Sequence, residues 1–107
     1  SVASKTRLGD REVRIDLPDL ETGKDCTPVI VDDVVSSGRT LLELTGLLRR
    51  RFDAKPVSAV VHGLFVEEAY AQLQLECSAV VSTNTVTHQS NAIDVASVLA
   101  SAVLELC

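Results

Sequence analysis

The chain has 107 residues, 46% of them hydrophobic and 23% charged, so it holds one small domain with a core and is not disordered in bulk. Its net charge of −5 argues against a general nucleic-acid surface, and no apolar run approaches the ~18 residues of a membrane span. Aromatic residues make up only 3%, with no Trp or Met, so Val, Leu, Ile and Ala must build the core. The cysteines, Cys26, Cys77 and Cys107, form no CxxC pair and have no metal-ligand spacing. An odd count with no signal-peptide pattern at the start reads as a reduced, cytoplasmic protein.

Residues 1–10 are polar and basic, with Lys5, Arg7 and Gly9, and predict a mobile loop. Val13, Ile15 and Leu17 alternate with Arg14 and Asp16, the period of a half-buried strand, which Pro18 and Asp19 end. Gly23-Lys24-Asp25 supplies a turn. Val29 to Val31 is apolar on both faces, which predicts a fully buried, central parallel strand. From Thr40 to Phe52, Leu41, Leu44, Leu48 and Phe52 recur at helical spacing, with Leu47 beside them. Arg49-Arg50-Arg51 reads as a solvated helix end favoured by the helix dipole, not as a polyanion site. Val57 to Val61 predicts a second buried strand, with His62-Gly63 as its exit. Glu67 to Leu75 predicts a short helix, and Ala79 to Ser82 a third buried strand that opens into a polar loop from Thr83 to Asn91. Val95, Val98, Leu99, Ala102, Val103 and Leu106 form the apolar face of a last helix, with Asp94 as N-cap.

Strands alternating with helices predict an α/β fold, a parallel sheet wound by helices through right-handed crossovers. A sheet of three buried strands and one alternating strand is thin, and a strand buried on both faces needs cover from both sides. The chain is therefore expected to be part of a larger protein or to pair tightly with another chain.

The most informative stretch is Val29-Ile30-Val31-Asp32-Asp33-Val34-Val35-Ser36-Ser37-Gly38-Arg39-Thr40-Leu41. It reads as a strand, a ligand loop at its C-terminal end and a helix start, the place where open α/β sheets bind ligands. Ser36 to Thr40 offers hydroxyls, a glycine and backbone N–H groups to a phosphate. Asp32 and Asp33 suit sugar hydroxyls or a divalent cation. The bland reading is an Asx-turn followed by a helix cap, but the full order of residues is far more specific than two acids after a strand.

This stretch resembles the phosphoribosyl pyrophosphate (PRPP) motif of type I phosphoribosyltransferases and of ribose-phosphate pyrophosphokinases, the PRPP synthetases. Other segments favour the synthetases. Lys5-Thr6-Arg7, then Glu12-Val13, resembles their flexible catalytic loop and next strand, and Val61-His62-Gly63-Leu64-Phe65 their strand end after the motif helix. Thr83-Asn84-Thr85-Val86, Ser90-Asn91 and Asp94-Val95-Ala96 resemble their C-terminal segment. The resemblance runs in order over nearly the whole chain and is closest to archaeal-type synthetases, whose motif also tends to carry Ser at the position of Ser36. Many transferases place an acid there as a general base, which Ser36 cannot be at neutral pH without an activating neighbour. A pyrophosphokinase suffers less, since phosphoryl-type transfer depends mostly on positioning and charge neutralisation. Arg39 stands where the synthetases often have a second glycine, which restricts the loop backbone.

The resemblance implies a three-layer α/β/α fold of the type I phosphoribosyltransferase class, with residues 1–107 as the C-terminal lobe of a larger enzyme and 1–11 as its mobile catalytic loop. It implies transfer of pyrophosphate from ATP to the C1 hydroxyl of ribose 5-phosphate. Ser36, Ser37, Gly38, Arg39 and Thr40 would hold the 5-phosphate, and Asp32 and Asp33 the ribose hydroxyls and Mg²⁺, directly or through substrate. Lys5 and Arg7 would be catalytic, stabilising charge on the transferring group; by spacing alone they would be solubilising cations. An N-terminal lobe supplying much of the ATP site, and a homo-oligomer, are implied as partners, with no nucleic acid and no membrane. The alternatives are a phosphoribosyltransferase acting on a nucleobase and a non-catalytic subunit associated with a PRPP synthetase. His62 reads as structural and bonded to backbone, His88 as exposed, and Glu67-Glu68 as charge at a helix N-terminus.

Overall fold

A computed structural model describes residues 2–7, 13–17 and 25–107. In chain order these form β1 (Ser4–Arg7), β2 (Val13–Asp16), β3 (Val29–Val35), α1 (Arg39–Arg51), β4 (Val57–Gly63), α2 (Ala69–Glu76), β5 (Ala79–Thr83), β6 (Asn91–Ile93) and α3 (Ala96–Leu106). The expected loop at the start is corrected in part: Ser4–Arg7 is a strand, paired antiparallel with β2 so that Lys5 lies opposite Ile15. The Pro18-Asp19 stop and most of the Gly23–Asp25 turn lie outside the described residues.

The main sheet is parallel, as the alternation of strands and helices implied, in the order β3-β4-β5-β6, but its fourth strand is β6 and not the expected alternating strand, β2, which pairs with β1 in a separate two-stranded sheet. α1 and α2 touch each other and share one core with the sheet, so they lie on one face, as crossovers of a single hand between successive neighbouring strands would place them. That face carries Ile30, Val60 and Val80, which join Leu41, Leu48 and Leu73 of the two helices in a single core. Leu73 is completely buried, and burying such a side chain is worth about 1.5–3 kcal/mol. Thr45, also buried, donates its hydroxyl hydrogen to Leu41 O at 2.8 Å, which lets a polar side chain sit in the helix–sheet seam.

Three expectations change. β3 is at the end of the strand order rather than central, and Val29 and Val31 are 60% and 76% exposed, so its second face is bare among the described residues. The local pattern set the strand, but strand order, a non-local property, set its burial. The loop predicted over 83–91 stops one residue earlier than expected, because Asn91 begins β6, a strand too short to show a period. It is held by Asn91, whose Nδ2 donates to Ser82 Oγ at 2.9 Å and to Thr83 O at 2.8 Å. α3 forms where its pattern places it, but none of its residues is buried. Its N-cap position is Val95, one residue later than expected, although Asp94 Oδ1 still accepts the Ala96 N–H at 2.8 Å.

Candidate functional site

β3 runs through both aspartates and ends at Val35, so Asp32 and Asp33 lie inside the strand rather than after it. Neighbouring strand positions point to opposite faces. Asp32 is half-buried and lines both cavities described below, whereas Asp33 is exposed and lines neither. The two are linked through the backbone: Asp33 N–H donates to Asp32 Oδ1 at 2.9 Å, and Val34 N–H to Asp33 Oδ1 at 2.7 Å. Burial pushes the Asp32 carboxyl above its ordinary value, with the Asp33 charge adding to the rise. The Asp33 N–H bond and the Lys5 charge oppose it.

The chain turns from β3 into α1 over Ser36, Ser37 and Gly38. Gly38 is the N-cap of α1, with φ 71° and ψ 5°, a left-handed conformation that glycine adopts without a Cβ penalty. No side chain caps the helix, and no acid stands in its first turn. The first N–H groups of α1 and the positive end of its dipole are thus left for an anion. Ser36, Ser37 and Arg39 are exposed around this end, and Thr40 is half-buried. A notch of about 100 Å³ is lined by these residues together with Asp32.

A larger groove of about 550 Å³ shares Asp32, Thr40 and Leu41 with the notch. One part of it is apolar, lined by Val29, Leu44, Leu48 and Phe52, and its polar lining includes Lys5, Asp32 and Thr40. Lys5 reaches across from β1 and donates from Nζ to Thr40 Oγ1 at 3.0 Å. The structure therefore brings together Lys5, Asp32 and the Ser36–Thr40 loop, residues up to 35 positions apart in sequence. Arg7 is placed on β1, two positions after Lys5; its side chain lies outside what is described.

Among the described residues no group of three or more His, Cys, Asp or Glu side chains comes together. The Asp32 carboxylate still offers the kind of hard oxygen donor that Mg²⁺ takes from protein when substrate phosphates complete its shell. His62 is half-buried and shares a hydrogen bond of 2.8 Å between Nδ1 and Thr85 Oγ1, so its partner is a hydroxyl rather than the expected backbone group. His88 is corrected from exposed to half-buried: its ring packs on Phe65 and Tyr70, each at 4.7 Å between centroids. Glu68 holds the N-cap position of α2, and Glu67 precedes the helix with left-handed backbone. All three cysteines are free. No helix among the described residues is long and apolar enough to cross a membrane.

Fold and site together define an α/β domain with an uncapped helix N-terminus, suited to an anion, at the carboxyl end of a parallel strand. Residues 2–98 match the model of the phosphoribosyl transferase domain, and the chain belongs to that family. It is 34% identical over 92 residues to a ribose-phosphate pyrophosphokinase of Thermoplasma volcanium, covering 85% of this chain and 32% of the relative. A ribose-phosphate pyrophosphokinase of Sulfurisphaera tokodaii is 37% identical over 90 residues, covering 81% of this chain and 30% of the relative. The chloroplastic ribose-phosphate pyrophosphokinase 3 of Arabidopsis thaliana is 40% identical over 76 residues, covering 70% and 18%. The chain spans about a third or less of the length of these relatives.

Proposed function

We propose that this chain is the ribose-phosphate-binding lobe of a ribose-phosphate pyrophosphokinase and acts, with a further lobe, in making PRPP from ATP and ribose 5-phosphate. The observation that carries the reading is the side chain of Lys5 bonded to Thr40 at the uncapped N-terminus of α1, beside the half-buried Asp32. That arrangement gathers a phosphate cradle, a carboxylate for sugar hydroxyls and a cation from β1 around two adjoining cavities. The similarity of the chain to relatives named as ribose-phosphate pyrophosphokinases supports the choice of reaction.

In this reading the 5-phosphate sits on the N–H groups and hydroxyls of Ser36, Ser37, Gly38, Arg39 and Thr40. Asp32, the carboxylate that lines the groove, would take the ribose hydroxyls and hold Mg²⁺, which would neutralise charge on phosphate oxygens, and Asp33, which lines neither cavity, would orient it through its N–H bond to Asp32 Oδ1. The C1 oxygen bonds to the β-phosphorus of ATP as the bond from that phosphorus to the α–β bridging oxygen breaks. AMP leaves with the bridging oxygen, and the C1 hydroxyl proton passes to solvent. Lys5 and Arg7 stabilise the charge that builds on the transferring group. Ser36 supplies no acid for base exchange, which places the nucleobase-transferase reading second. The enzyme works as a homo-oligomer in the cytoplasm.

Phosphorus NMR of the full-length protein with ATP, Mg²⁺ and ribose 5-phosphate tests this. AMP and PRPP should appear together, and PRPP with a panel of nucleobases should give no nucleotide. Nucleotide formation would establish the transferase reading instead, and ribose 5-phosphate binding without turnover would mark a non-catalytic subunit. The 107-residue chain alone should bind ribose 5-phosphate weakly and turn over little.

A further inference from the structure

The turn between β4 and α2 lies outside the phosphate-binding loop, yet it holds unusual backbone. Phe65 has φ 43° and Glu67 φ 56°, left-handed conformations that a Cβ disfavours, in a segment from Leu64 to Glu68 that contains no glycine. Such residues persist where their surroundings over-determine them.

Here the surroundings are the anion loop. Leu64 N–H and Phe65 N–H both donate to Val35 O, at 3.0 and 3.1 Å, and Val66 N–H donates to Ser36 O at 3.0 Å. Val35 is the last residue of β3 and Ser36 the first of the loop, so the turn grips the loop where it leaves the sheet. The loop also rests on α2, since a Cβ placed on Gly38 would lie 3.4 Å from Ala69 Cβ and 3.5 Å from Leu73 Cδ1.

The ring of Phe65 fixes this turn. It is only 7% exposed and folds back over Gly63, where an added Cβ would come within 2.4 Å of Cε2. Its centroid lies 5.3 Å from that of Tyr70 and 4.7 Å from that of His88. His88 is held in turn by Ser90, whose backbone N–H donates to Nδ1 at 3.1 Å. The chain has only two Phe and one Tyr, and two of these three meet at this point.

We infer that Phe65 is a positioning residue for the anion loop: its ring, wedged among Gly63, Tyr70 and His88, locks the turn whose amides hold the Val35 and Ser36 carbonyls. The loop N–H groups are thereby set for a phosphate ester before the ligand arrives, which lowers the ordering cost of binding. The ligand's identity rests on the ribose 5-phosphate reading; the bracing of the loop does not.

The test uses the full-length protein with F65L, which removes the ring, and G63A, which displaces it while keeping every native side chain. Amide exchange over residues 36–40 is measured without ligand, and KM is measured for both substrates. In both variants exchange over the loop should quicken about tenfold and KM for ribose 5-phosphate should rise about five- to tenfold, with kcat and KM for ATP within about twofold. G63A added to F65L should cost little more, because the ring it collides with is gone. Loop exchange at the wild-type rate in folded variants overturns the inference, as does an equal rise in both KM values. If F65L does not fold, G63A carries the same comparison. A wild-type protein that ignores ribose 5-phosphate, but whose loop still loosens in the variants, sinks the substrate reading and leaves the brace standing.

Discussion

Gly38 is the residue on which the anion loop most depends. Its φ of 71° lies in the left-handed region, and a Cβ there would meet Ala69 and Leu73 at ordinary contact distances of 3.4 and 3.5 Å. Space for a Cβ is therefore available, and the obstacle to alanine is the backbone. Gly38→Ala should destabilise the protein by about 1–2 kcal/mol and weaken ribose 5-phosphate binding, checked by thermal melts and calorimetric titration. A melt unchanged from wild type would mean that the loop relaxes freely out of this conformation. Gly38 and the hydroxyls around it were legible in the sequence because an anion loop needs a fixed local order of residue types. The pairing of Lys5 with Thr40 was not, since local pattern carries no information on which distant cation faces the loop. Phe65 was invisible for a related reason: in sequence it is one apolar residue after a strand, and only its left-handed backbone and its neighbours distinguish it.

At the scale of elements, the interior of each was easier to read than its ends. α1 was expected from Thr40 to Phe52 and runs over Arg39–Arg51, because its leucines repeat at helical spacing for more than three turns. β3 was read as ending before Asp32, yet it continues to Val35, since parallel pairing of Asp32 with Val60 and of Val34 with His62 outweighs the poor strand preference of aspartate. The start of α3 depends on Asp94, whose carboxylate accepts the Ala96 N–H and a bond of 3.0 Å from Asn84 Nδ2. Those two bonds, the Ala96 one foremost, hold Asp94 below its usual carboxylate range. An acid whose folded value is lowered adds stability above its unfolded value of about 3.9, and that stability is lost as pH falls through the folded value. D94A should therefore melt below wild type at pH 7, and the two melts should converge as the medium becomes more acid than that range. A gap that persists at low pH would show that the side chain acts by packing rather than by charge. Between helices, Arg49 of α1 pairs with Glu76 of α2; both are about two-fifths exposed, so the pair contributes at most about 1 kcal/mol. It uses one of the three arginines expected to be merely solvated.

The whole molecule exposes apolar surface that a parallel sheet does not normally leave open. Val31 is 76% exposed on a face of the sheet that no helix covers among the described residues, and Leu104 and Leu106 of α3 are 75% and 88% exposed. The thin sheet read from the sequence had implied a need for cover; β3, expected to be buried on both faces, is exposed on one of them among the described residues. The 107-residue chain on its own should self-associate, seen as a mass that rises with concentration in light scattering, and Val31→Thr with Leu104→Gln should reduce it. A monodisperse monomer that unfolds cooperatively at every concentration would contradict this.

The sequence by itself determined the alternation of strands and helices, the anion loop and the resemblance to PRPP-binding enzymes. All three are written in local order: hydrophobic period, turn chemistry and a short motif at a helix start. Only the tertiary structure decided that β3 lies at the end of the sheet, that Asp32 rather than Asp33 faces the groove, that Lys5 meets Thr40, and that Phe65 braces the loop from behind. Those outcomes depend on strand order and on contacts between residues far apart in the chain, which packing selects and local pattern does not encode.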